Sequence, residues 1–119
     1  MFEQRLVTYL GARVPLLGGR LHPYVAPEHT PLPVGVYQIT TNTRRTHDGH
    51  PLVNETVRVD VWAQTFAEVE AVLGELHQAM AAWQDADAQT ARIQTEERFY
   101  EPAVDLFRGM ITCLVCIGG

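Results

Sequence analysis

Cys113-Leu114-Val115-Cys116 has the spacing with the most chemical potential in the chain. Two thiols so placed serve redox exchange when the first sits at a helix N-terminus, which lowers its pKa. They serve zinc when a second pair or added histidines meet them on a tight knuckle. Here the pair lies inside an apolar run of strand character, so its side chains alternate to opposite faces. The pair reads as two small buried residues. His47-Asp48-Gly49-His50 comes next. With His22 or His29 its two histidines could ligate a metal, but Asp48-Gly49 is first a turn signal and no carboxylate shell is evident. The chain contains no serine, which excludes a Ser-His-Asp triad. Glu96 and Glu97 are neighbours on a strand and point apart, unlike a carboxylate dyad. Asp60 lies between Arg58 and Trp62 on one strand face, and pairing with Arg58 or Arg108 is expected of it before service as a base. Gly18-Gly19 lacks the lysine and helix start of a phosphate loop. The expectation is therefore no catalytic residue, no metal and no cofactor. Arg44 and Arg45, followed by His47 and Asp48, make instead a candidate contact point for an acidic protein surface.

The elements that hold these residues follow from periodicity. Thr56 to Trp62 alternates apolar and polar, as a half-buried strand does, and Thr65-Phe66-Ala67-Glu68 has the form of a capping box opening a helix. Phe66, Val69, Leu73, Leu76, Met80 and Trp83 then recur at steps of three and four, an apolar helical stripe. Gly74 interrupts it and suggests close approach to a sheet. Phe2, Leu6, Tyr9 and Leu10 share one face of a first helix over 2–12. Arg20 to Tyr24 could add a short edge strand, since Pro23 cannot donate to a central ladder. Ala26 to Pro33 is a proline-rich loop. Strands are expected over 34–41, 53–63, 90–100 and 106–117, with a long polar connection over 42–52. The predicted fold is α+β: an antiparallel sheet of about four strands in two hairpins, packed on one face by two helices, in the order α-β-β-α-β-β, all in one domain over 1–119.

Under the helices this fold places Val57, Val59, Val61, Ile93, Phe99, Phe107, Ile111, Cys113, Val115 and Ile117. The other sheet face carries Leu106, Met110, Leu114 and Trp62 beside Arg58, Asp60 and Arg108. That face is less polar than a solvent face should be, which points to a partner or to cover by the first helix or the proline-rich loop. Arg58, Asp60, Trp62 and Met110 are its candidate subunit or partner contacts.

Bulk composition sets the outer limits. Hydrophobic residues make up 46% and charged residues 19%, as in a globular domain. A net charge of -5 argues against a general binder of nucleic acid or anionic membrane. No apolar run is long enough to span a membrane, and the first residues have no signal-peptide pattern. A reducing cytoplasm is expected, with no need for the two cysteines to pair.

The order of these elements resembles the tail-completion (tail terminator, head–tail joining) protein family of long-tailed bacteriophages. Arg20-Leu21-His22-Pro23 resembles its early strand, followed by Pro31-Leu32-Pro33-Val34-Gly35-Val36-Tyr37-Gln38. Val57-Arg58-Val59-Asp60-Val61-Trp62-Ala63 resembles its second strand, and Phe66-Ala67-Glu68-Val69 the helix entry. Tyr100-Glu101-Pro102 through Leu106-Phe107-Arg108 resembles the last hairpin. The resemblance implies a structural virion protein, not an enzyme. Its copies would form a ring, typically a hexamer, on the end of the tail tube. Its partners would be the tail tube protein and the head connector or stopper protein, with DNA only as passing cargo. Assembly would take place in the host cytoplasm. The alternative is a small-molecule binding module with a pocket between helix and sheet, rimmed by His77, Trp83 and Tyr100. A DNA-binding regulator fits less well, given the acidic charge and the lack of a helix-turn-helix pattern.

Overall fold

A computed structural model describes residues 2–45, 49, 51–83 and 90–118, the side chains of residues 44, 51 and 118 excepted. The chain opens with helix α1 (Phe2–Arg13) and a 3-10 turn (Pro15–Leu17) that ends on Gly18 in the left-handed region. Strands β1 (Leu21–Pro23), β2 (Val34–Arg45) and β3 (Pro51–Ala63) follow, then helix α2 (Phe66–Ala81), β4 (Thr90–Glu101) and β5 (Leu106–Gly118). The mixed α and β content is as expected, but the sheet has five strands, in the order β1-β2-β3-β5-β4. The short β1 lies parallel to β2 and makes the sheet mixed, where an antiparallel sheet of four strands was expected. The 42–52 connection is also shorter than expected, because β2 runs on to Arg45 and β3 begins at Pro51, paired from Val34↔Trp62 to Arg45↔Pro51.

Both helices cover one sheet face. Thr65 caps α2 as its sequence foretells: its hydroxyl accepts from the Glu68 amide at 3.1 Å and donates to the Glu68 carboxylate at 3.2 Å. Val69, Leu73, Leu76, Met80 and Trp83 of the stripe are buried, with Val72 and Ala79 beside them. Phe66, at the helix start, stays half exposed and meets Phe107 edge-on. Val57, Val59 and Val61 of β3 and Ile111, Cys113 and Val115 of β5 lie beneath, all closed to solvent. Helix α1 adds Leu6, Leu10 and Val14 to the same core. Tyr9 stacks on Trp83 and donates to the Ala79 carbonyl at 2.7 Å.

Two sequence expectations fail here for one reason each. Phe99 was expected under the helices. A bulge between Ile93 and Thr95 inserts one residue and reverses the side-chain phase of β4 beyond it. Glu96 and Arg98 therefore turn to the helix side, where Arg98 pairs with Glu70 and His77 lies 3.3 Å from Glu96. Phe99 turns to the other face. Gly74, expected at the helix–sheet contact, faces open space, and the close approach falls at Gly109 of β5. A Cβ there would sit 2.7 Å from Val69 Cγ1 and 2.7 Å from Leu73 Cδ1.

The strands outrun the helices. The 16 residues of α2 span roughly 24 Å, whereas the 13 of β3 span roughly 43 Å. Val53 and Ile117, inward-facing like Val57 but nearer the β2–β3 tip, are only half-buried. The two glycines give a paired test in urea unfolding. Gly109→Ala should cost about 1–3 kcal/mol through overpacking. Gly74→Ala should gain up to about 1 kcal/mol through helix propensity.

Candidate interaction face

The sheet face turned away from the helices is organised around Asp60, which is 4% exposed. Alternation along β3 puts Arg58, Asp60 and Trp62 there together, and pairing with β5 sets Met110 opposite Asp60 and Arg108 opposite Trp62. Arg58 donates through Nε to Asp60 Oδ1 at 2.7 Å and through Nη2 to Oδ2 at 3.1 Å. Arg108 donates through Nη1 to Asp60 Oδ2 at 2.6 Å and through Nε to Glu101 at 2.7 Å. Its guanidinium lies 4.2 Å from the centre of the Phe99 ring and 6.0 Å from that of Trp62. The hydrogen bond to Asp60 is the first cause of a raised Arg58 pKa. Burial pulls the Arg108 pKa down, but hydrogen bonds to Glu101 and Asp60 outweigh it and the pKa is raised. Asp60 thus pairs with both of the arginines named as alternatives in the sequence. Both of its oxygens accept from arginine, three hydrogen bonds in all, which fits a structural ion pair.

Apolar groups flank this network. The proline-rich loop folds over one end of the face, where Tyr24, Val25 and Leu32 enclose with Val34, Trp62 and Leu106 an open apolar cleft of about 300 Å³. Met110 and Leu114, further along, are half-buried. The loop therefore covers one end of the face only.

Of the remaining candidates, Arg45 ends β2 and donates to the Gly49 carbonyl at 3.1 Å. Arg44 pairs in backbone register with Leu52. His47 and Asp48 lie outside the described residues, as does His50 of the proposed metal motif. Among the described residues no three His, Cys, Asp or Glu side chains come together as a metal would require. Both cysteines are free. Cys113 is enclosed under α2, and burial pushes its thiol up to about 11, while Cys116 faces the other way and is half-buried. His77, Trp83 and Tyr100 do not share a pocket. Trp83 is packed on Tyr9 and Phe2 beyond the C-terminal end of α2, whereas Tyr100 lies against Phe107 near its N-terminal end and donates to Asp105 at 2.6 Å.

The sequence reading missed Glu55. It is 6% exposed and takes one hydrogen bond, from the Thr41 hydroxyl at 2.7 Å. Its phase was visible, since Glu55 falls in step with Val57, Val59 and Val61 on the helix side. Glu101 and Phe99 were missed because the bulge alone brings them beside Arg108.

A small α+β domain with an exposed mixed polar and apolar sheet face is the class these features define, and the comparisons narrow it. The model of the family described as "Tail completion protein gp17" matches residues 6–118, and the chain belongs to that family. Among solved structures, a chain from the "Virion of native gene transfer agent (GTA) particle" has the same fold at a TM-score of 0.69. It is 14% identical, and the match covers 92% of this chain and 84% of that one. No curated protein matches in sequence.

Two outcomes are expected from this geometry. Asp60→Asn leaves Arg108 without its buried counter-charge and should cost about 3 kcal/mol in urea unfolding. Arg58→Ala, on the exposed side of the same carboxylate, should cost under about 1 kcal/mol. A thiol reagent at pH 8 should modify Cys116 in the native protein and Cys113 only on unfolding. Because the folded Cys113 pKa lies above the ordinary 9.0, the unfolded thiol ionises first, and stability should fall as pH rises from 9.0 towards 11.

Proposed function

We propose that this chain is a structural, non-catalytic subunit of the phage tail. Its copies close into a ring, six-fold as the family resemblance implies, that caps the tail tube and joins the tail to the head connector. The observation that carries the reading is the family match over residues 6–118, on a fold also found in a chain of a gene transfer agent virion. The face around Asp60 supports it. Its charges neutralise one another, and its half-buried Trp62 and Met110 offer apolar area to another protein. In this reading the tail tube or connector protein meets Arg58, Asp60, Trp62 and Met110, and Arg44 and Arg45, at the end of β2, meet an acidic neighbouring surface, with His47 and Asp48 as further candidate contacts. A net charge of -5 suits a conduit through which DNA passes without sticking. The site of action is the virion tail, after assembly in the host cytoplasm.

Electron microscopy of purified tail tubes mixed with the protein tests this directly. The wild type should decorate tube ends and stop their growth. Arg44→Glu with Arg45→Glu should reduce decoration while changing stability by under about 0.5 kcal/mol. A wild type that leaves tube ends bare would refute the reading. Unchanged decoration by the double variant would take the β2–β3 tip out of the contact.

A further inference from the structure

Glu55 is a buried carboxylate on the helix side of the sheet, with no cation beside it among the described residues. Thr41 satisfies one oxygen, Oε2, and among the described residues nothing donates to the other. A buried charge left so is costly until something pairs with it. Glu55 lines an open cleft of about 320 Å³ between α1 and the β2–β3 ladder, with Phe2, Glu3, Tyr24, Ile39 and Thr41 around it. Glu3 brings a second negative charge. Burial first, and then that charge, raise the pKa of the neighbouring Tyr37 hydroxyl. The lining therefore suits a cation on an apolar stem, the form of an arginine or lysine side chain.

The cleft lies at a bare border of the sheet. Strand β1 pairs with β2 only as far as Pro23↔Tyr37, after which Tyr24 turns off with φ at 62°. No strand among the described residues continues alongside β2, and residues 40–43 are exposed. Backbone direction alternates along β2. The Gly35 N–H donates to the Arg20 carbonyl and the Tyr37 carbonyl accepts from the Tyr24 N–H, so both residues point to the β1 side. In the same phase, the backbone groups of Ile39, Thr41 and Thr43 point to the bare border. A strand laid there would complete the ladder that β1 leaves unfinished.

Such a strand has the cleft within reach. Thr41 and Glu55 are register partners and share the helix side with Ile39. The residue opposite Thr41 on an added strand shares that side too, two strand spacings or roughly 10 Å from Glu55. An arginine or lysine there can pass over Thr41 to the Glu55 carboxylate. A second copy of this chain is a poor source for it. Arg92, exposed on the edge strand β4, lies opposite Leu114 and so points to the sheet face turned away from the helices. Continuing the sheet from copy to copy would leave Arg92 and Glu55 on opposite faces. The net charge of -5 also favours a basic partner over another copy.

We propose that the free half of β2 is a docking edge for an extended segment of a different protein, which adds as a strand beside residues 39–43 and seats one basic side chain on Glu55 in the cleft. Two features define the partner: an extended backbone and a cation on the side of it that faces α1. Backbone hydrogen bonds supply affinity, and the Glu55–Glu3 cleft selects the side chain. This edge is separate from the face around Asp60, which lies on the other side of the sheet.

NMR titration of the isolated protein with the peptide acetyl-Thr-Val-Arg-Val-Thr-amide tests it. The peptide should shift the amide signals of Ile39, Thr41 and Thr43 in a saturable way. Replacing its arginine by citrulline, a neutral isostere, should weaken binding roughly tenfold or more, and so should Glu55→Gln in the protein. Glu55→Gln keeps the shape and the Thr41 bond, so this variant should fold. Methylating the peptide's backbone nitrogens, with the arginine kept, should abolish the shifts. The proposal is overturned if the parent peptide leaves these amides unmoved, or if the citrulline peptide, the methylated peptide or the Glu55→Gln protein binds as the parent pair does. Self-association of the wild type that Glu55→Gln removes, with no response to the peptide, would give the cleft to a second copy and overturn it as well. None of these outcomes touches the tail reading, which the tube-end result decides.

Discussion

The depth at which α2 sits on the sheet is the constraint that the rest of the molecule obeys. Gly109 sets it. Without a side chain there, Val69 and Leu73 settle onto β5 and close the core over Val59, Val61 and Ile111. With the helix that low, its flanks meet β4, and Glu70 and His77 come within reach of Arg98 and Glu96. Those partners face the helix only because the bulge at Ile93/Thr95 has reversed the phase of β4. One missing methyl group and one extra residue thus act together: the first brings the helix down, and the second turns charges to meet it.

The same reversal furnishes the far face. Phe99 arrives beneath the Arg108 guanidinium, and Glu101 comes within reach of Arg108 Nε. Asp60 stays buried because two arginines share it. The array is laid out at fixed heights on three paired strands, and its ion pairs hold Asp60, Arg108 and Glu101 in one arrangement.

Local patterns disclosed local structure well. The Thr65 cap, the α2 stripe, the alternation of β3 and the first helix, expected over residues 2–12 and found over 2–13, are all written in steps of two, three or four residues. What escaped was pairwise. The bulge is a relation between β4 and β5 and leaves β4 looking regular by itself. The parallel placement of β1 depends on a loop that carries the chain back beside β2. Which glycine meets the helix could be decided only once the sheet register was known, so Gly74 drew attention that belonged to Gly109. The pairing of Asp60 with a neighbouring arginine was legible from residue types on one strand. The burial of Glu55 against Thr41, with no cation beside it among the described residues, was not, because it depends on how β2 and β3 pair.

The bulge in β4 has a consequence for the chain before it meets any partner. A sheet that ends in a long regular strand invites misfolded chains to stack on it and grow into fibrils. Here the extra residue breaks the run of evenly spaced amides, and Arg92, Glu96, Glu97 and Arg98 stud the strand with charge. The border is therefore a poor template for indiscriminate growth, and a crowded or half-folded copy finds no regular edge there on which to stack.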